Sequence, residues 1–106
     1  MTKREHILLQ IKQIADKNYP DSEIILYGSQ ARGDANAHSD WDILILLSQE
    51  KVSFDTETKI MDDYYELELQ TGEVIAPLVY SKKDWDKQYK NSPLNINIKK
   101  DGVKIK

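Results

Sequence analysis

The chain has 106 residues, 40% of them apolar, no cysteine and a formal net charge of −3. Those totals suit one globular domain, residues 1–106, with a modest core, and they exclude disulfides and cysteine–zinc sites. The acidic balance argues against general nucleic-acid binding. No apolar run forms a signal peptide or reaches membrane-spanning length, so a cytoplasmic protein without membrane association is expected.

The first predicted element is a helix over residues 3–18, where Ile7, Leu8, Ile11, Ile14 and Ala15 recur at helical spacing. Thr2 and Glu5 are placed to form a capping box, and His6 is expected to face solvent. Pro20 disfavours helical geometry before it, and Glu23–Tyr27 then reads as a buried strand running into Gly28. Glycine tolerates a positive φ and lets a ligand approach the backbone. Ser29, Ala31 and Arg32 suit the first turn of a short helix that Gly33-Asp34 would stop, leaving Asp34–Ser39 as a loop. Such a strand–glycine–helix corner presents free amides and a positive helix end to a phosphate.

Asp40 and Asp42 stand two apart at the entry to a second strand, Trp41–Leu47. Period-two geometry puts both carboxylates on one face and Trp41 on the other. Two like charges so close resist burial unless a cation sits between them. Hard oxygen ligands beside a phosphate cradle imply Mg²⁺, held by carboxylates together with substrate phosphates.

After a polar connection, Phe54–Leu69 reads as a helix with Ser53 as N-cap and Ile60, Met61, Tyr64 and Tyr65 at helical spacing. Asp62 and Asp63 are adjacent on that helix and point in different directions, which suits a solvated face rather than a metal site. Thr71-Gly72 closes the helix, and Glu73–Tyr80 forms a third strand, with Pro77 arguing for an edge position or a bulge. Ser81 caps a short helix running to about Tyr89; Ser92 and Pro93 open a last one ending at Asp101-Gly102, and Val103–Ile105 trails off as a short strand. Strands and helices in this succession give an α+β fold, a small mixed β-sheet with helices packed on it.

Gly28-Ser29, ten residues, then Asp40-x-Asp42 resembles the signature of the DNA polymerase β-like nucleotidyltransferase superfamily. Within it, Gly28-Ser29-Gln30-Ala31-Arg32-Gly33 followed by Ser39-Asp40-Trp41-Asp42 is similar to the minimal nucleotidyltransferases of bacteria and archaea. Many of those are antitoxins encoded beside a HEPN-domain toxin. The resemblance implies the polymerase β-like fold and Mg²⁺-dependent transfer of a nucleoside monophosphate, AMP from ATP, to a hydroxyl of a partner protein. A HEPN toxin modified on a tyrosine is the leading acceptor.

On the family's pattern Asp40 and Asp42 hold the metals, while Gly28 and Ser29 hold the phosphates. Arg32 is either a phosphate ligand through its planar donor fork or a structural helix residue; Ser39 either orients the loop before Asp40 or is a simple turn serine. The family's third carboxylate aligns near Val74–Ala76, where no acid stands. Glu73 is the strand's only carboxylate: it is either the missing catalytic acid or a solvated strand-end charge. A chain of this size leaves no room for an acceptor-gripping second domain, so the acceptor surface would be shared with another copy, as a homo-oligomer, or with a different protein. The alternative is a degenerate nucleotidyltransferase fold that neutralises a partner by masking it. A small-molecule modifier of the aminoglycoside type is disfavoured, because no second lobe completes a substrate cleft.

Overall fold

The computed structural model describes residues 1–36 and 38–106. Their elements run α1 (Lys3–Asn18), β1 (Glu23–Tyr27), α2 (Ser29–Arg32), β2 (Trp41–Leu47), α3 (Phe54–Thr71), β3 (Ile75–Ser81), α4 (Lys82–Gln88), α5 (Pro93–Asp101) and β4 (Val103–Lys104). The four strands form one mixed sheet in the order β3-β2-β1-β4. β1 pairs antiparallel with both β2 and β4, whereas β2 and β3 are parallel. A parallel neighbour needs a long crossover, and α3 supplies it. This is the expected α+β architecture with a mixed sheet.

Alternation along β2 decides what each face of the sheet carries. Trp41, Ile43, Ile45 and Leu47 point to one side, where they pack with Ile7, Ile11 and Ala15 of α1 and Ile60, Tyr64 and Leu67 of α3. Leu44 and Leu46 point to the other, against Trp85 of α4 and Ile98 of α5. The sheet is thus covered on both faces, which explains why β2 reads as an unbroken apolar run. Tyr64 brings a hydroxyl into the first core and satisfies it by donating to the Ile11 carbonyl at 3.0 Å. Surface ion pairs such as Lys83–Glu50, at 2.8 Å, are each worth about 1 kcal/mol or less. Truncating a fully buried Ile43 or Ile45 to alanine costs about 2–5 kcal/mol, so the two cores hold the fold.

Serine and threonine caps fix the helix starts. Thr2, Ser53, Ser81 and Ser92 each accept a hydrogen bond from the amide three residues on. Pro77 lies in β3, an edge strand, as its missing N–H requires. Several boundaries differ by a residue or two from expectation; the largest shift that bears on the site is at β3, which starts at Ile75, not Glu73, because α3 continues to Thr71 and Gly72 ends it at φ 75°. The Thr71 hydroxyl accepts the Glu73 amide at 3.2 Å and the Glu68 carboxylate accepts the Ile75 amide at 2.8 Å, so residues 73–74 complete a capped turn. Among the described residues no helix is long and apolar enough to cross a membrane.

Candidate active site

β1 ends at Tyr27, and the chain turns through Gly28 at φ 74°, ψ −156° into α2. The Gly28 carbonyl accepts the amides of Ala31 at 3.1 Å and Arg32 at 3.0 Å. The Ser29 and Gln30 amides precede that first helical bond and stay available to a ligand. Two contacts brace this corner. Arg4 of α1 donates from Nη1 to the Gln30 carbonyl at 2.7 Å, and the buried Gln30 side chain donates from Nε2 to the Ser39 carbonyl at 3.4 Å. Gln30 therefore ties the glycine–serine corner to the loop just ahead of Asp40. The Ser39 hydroxyl accepts the Asn36 amide at 3.0 Å, which is the part of a turn serine.

The antiparallel register pairs Tyr27 with Asp42 and so sets that aspartate beside the corner. The approach is close: a Cβ added at Gly28 would stand 2.5 Å from Asp42 Oδ2. Trp41 is turned to the opposite face, into the core of α1 and α3. Burial first, and then the charge of Asp40, hold the Asp42 carboxyl above its ordinary pKa; the Arg32 guanidinium pulls the other way. Asp40 itself is exposed. Arg32 is exposed too, and its Nε pairs with Asp34 at 3.2 Å.

Tyr27, Gly28 and Arg32 also line a cleft of about 330 Å³ whose far wall is Leu94, Asn97 and Asp101 of α5. That is the size of a small-ligand pocket. Sequence reasoning did not bring α5 to the site. The only local signal was that Leu94, Asn97 and Asp101 share one helix face by their spacing. Arg4 and Gln30 were missed for the same reason, since their contacts join segments distant in sequence or cross the loop.

The structure does not bring Glu73 to the aspartates. Its carboxylate forms an ion pair with Lys3 and accepts a hydrogen bond from Trp41 Nε1 at 3.4 Å, on the face away from Asp42. Hydrogen bonding from Lys3 holds it below the usual carboxylate pKa despite its burial. Along β3, Ala76 pairs with Asp42 and Leu78 with Leu44, so the strand face next to Asp42 carries no acid. Among the described residues no group of three or more His, Cys, Asp and Glu is placed to hold a metal.

That pairing gives Glu73 a structural effect with a definite pH dependence. A carboxylate whose folded pKa is lowered contributes stability above its unfolded value, near 4.5, and loses it as pH falls through the lower folded value. Glu73→Gln is therefore expected to cost about 1 kcal/mol at neutral pH, a difference that fades in acid, with nucleotide binding unchanged. Lys3 is 68% exposed, so losing its partner strands no buried charge. Thermal unfolding across pH, alongside nucleotide titration, checks both halves.

The family model described as a nucleotidyltransferase domain matches residues 8–105. The chain belongs to the nucleotidyltransferase domain family. Solved structures agree with that fold. A toxin–antitoxin crystallised with AMP-PNP superposes with a TM-score of 0.65 at 15% identity, covering 93% of this nucleotidyltransferase chain and 72% of that one. A mutant of the toxin–antitoxin MntA–HpeT, with two aspartates two positions apart changed to glutamate, gives 0.66 at 14% identity over 93% and 72%. A tyrosine-to-alanine mutant of the same pair gives 0.59 at 16% identity over 91% and 68%. No curated protein matches this nucleotidyltransferase domain.

Proposed function

We propose that this nucleotidyltransferase transfers AMP from ATP to a hydroxyl of a partner protein and acts as the antitoxin of a HEPN-type toxin in the cytoplasm. The observation that carries the reading is the close approach of the Asp42 carboxylate to Gly28, which leaves no space for a side chain there and sets this acid against the strand–glycine–helix corner. Two aspartates on one face, one of them half-buried and uneasy in its charge, suit a hard divalent cation completed by substrate phosphates. Asp40 and Asp42 would hold Mg²⁺, which supplies charge neutralisation for the triphosphate and activation of the incoming hydroxyl.

The remaining residues act by positioning. The Ser29 and Gln30 amides and the Ser29 hydroxyl cradle phosphate oxygens, and the Arg32 fork can leave exposed Asp34 for a phosphate. Arg4 and the Gln30 side chain hold the corner in register with Asp40. The cleft between Tyr27 and α5 receives the nucleoside, with Asn97 and Asp101 as polar contacts. In the transfer, the acceptor oxygen bonds to the α-phosphorus, the bond to the pyrophosphate oxygen breaks and the hydroxyl proton is released. β3 offers no carboxylate beside Asp42 to take that proton. A slow reaction is expected unless the partner brings a base.

Support from similarity is of the same kind: one structural neighbour was crystallised with AMP-PNP, and another carries changes at an aspartate pair with the spacing of Asp40 and Asp42. The test is incubation with α-phosphate-labelled ATP, Mg²⁺ and a HEPN-type toxin as acceptor. Label on the toxin supports transfer. Normal nucleotide binding with no label on any acceptor overturns it. The missing third acid favours one second reading, a binding module that masks its partner. Under that reading neutralisation survives replacement of both Asp40 and Asp42 by asparagine; under transfer it does not.

A further inference from the structure

α3 buries Ile60, Tyr64 and Leu67, yet a second stripe on its exposed side is also apolar. Phe54, Met61, Tyr65 and Leu69 are 81%, 41%, 57% and 63% exposed. At about 100° per residue these four fall in one stripe running the length of the helix. Asp55, Asp62 and Glu66 flank it on one side, Glu57 and Glu68 on the other. α3 holds six acids against a single lysine, Lys59. None of the six is in an ion pair among the described residues. Aligned exposed hydrophobics edged by one sign of charge are unusual on a surface that meets only water.

We propose that this face of α3 docks a partner protein through an apolar helical surface rimmed by lysine and arginine. Charge selects that occupant. A second copy pairing through the same stripe would set acid against acid on both flanks, so self-association is disfavoured and a basic partner is favoured. Nucleic acid is refused by the same acids. α3 packs on the sheet face of Trp41, opposite Asp42, so a partner on its outer side leaves the cleft at Gly28 open. The stripe ends at Leu69, near the turn where half-exposed Val74 accepts the Trp41 amide at 2.8 Å, next to Asp40. The inference rests on the reading that the acceptor is a protein, and names the surface that would hold it.

The probe is an 18-residue leucine–lysine peptide with helical amphipathic spacing, compared with its leucine–glutamate counterpart. The expected result is saturable binding of the lysine peptide with amide shifts confined to α3 and the Leu69–Val74 turn. Binding should weaken by at least about tenfold in Tyr65→Ser plus Leu69→Ser, which remove two anchors of the stripe. It should also weaken with salt and in Asp62→Asn plus Glu66→Gln. Equal binding of the glutamate peptide, or shifts elsewhere on the protein, overturns the proposal. So does concentration-dependent dimerisation of the wild type that the serine variant abolishes, which would make the occupant a second copy. Titration of the wild type with both ligands separates the two readings. No peptide binding with Mg–ATP bound removes the docking face alone; no Mg–ATP binding with the peptide seated on α3 removes transfer alone, and the serine variant is expected to bind Mg–ATP as the wild type does.

Discussion

Asp40→Asn plus Asp42→Asn is expected to lower nucleotidyl transfer by about 10³-fold and to leave ATP binding indifferent to Mg²⁺. Oriented charge at the reacting phosphate supplies most of the catalysis in a transfer where the protein forms no bond itself. Asparagine keeps the shape and the hydrogen-bonding oxygen but removes the charge that would hold the cation. The second half of the prediction runs in the other direction. Burial and the neighbouring Asp40 already hold the Asp42 carboxyl above its ordinary pKa, so its charge at neutral pH is a cost to the folded chain. The metal-free double variant is therefore expected to be as stable as the wild type or slightly more so, the usual exchange of activity for stability at a functional site. Adding Mg²⁺ and ATP raises the wild-type melting temperature by mass action and leaves the variant's unmoved. Labelled transfer, calorimetry with and without chelator, and thermal melts read the three effects. Undiminished transfer in the variant, or a large loss of metal-free stability, would show that the aspartates serve the fold.

Features fixed by a few adjacent residues were legible before the structure. Four serine and threonine caps lie where a hydroxyl precedes an apolar-periodic run, because a cap is satisfied within three residues. That Asp40 and Asp42 share a face is an expectation from strand alternation; β2 itself begins at Trp41, which packs in the core opposite Asp42 as that alternation requires. What was not legible is set by contacts between distant segments. Glu73 is a candidate third acid only as the lone carboxylate of the expected strand, and it is its contacts with Lys3 and Trp41, distant in sequence, that turn it to the face away from Asp42. The bond from Arg4 to the Gln30 carbonyl spans 26 positions. α5 reaches Gly28 because the second core of Leu44, Leu46, Trp85 and Ile98 draws it there, and periodicity says nothing about which strand a helix will cover. The start of β3 was misplaced because α3 runs on to Thr71 and residues 73–74 form a capped turn held by Thr71 and Glu68 side chains.

Gly28→Ala should damage both stability and nucleotide binding, whereas Gly33→Ala, five residues on, should touch only stability. Both glycines have positive φ, 74° and 84°. Gly28, with ψ −156°, lies in a region nearly closed to other residues, and occupying it with a side chain costs about 1–3 kcal/mol. Gly33 is in the ordinary left-handed helical region, where alanine costs about 1–2 kcal/mol. Their surroundings differ more than their backbones do. An added Cβ at Gly33 meets nothing within 4 Å, while at Gly28 it meets Asp42 Oδ2 at 2.5 Å and Cγ at 3.4 Å. The alanine methyl at position 28 must push the carboxylate away from the corner, breaking the juxtaposition of acid and free amides on which metal and triphosphate would both depend. A displacement of about 1 Å in such a site can cost about 10²-fold in rate. Gly28→Ala is therefore expected to lose Mg–ATP binding and transfer under conditions where it is still folded, and Gly33→Ala to keep both after a comparable drop in melting temperature. Equal nucleotide affinity in the two variants would separate Asp42 from the phosphate corner and leave Gly28 a turn residue only.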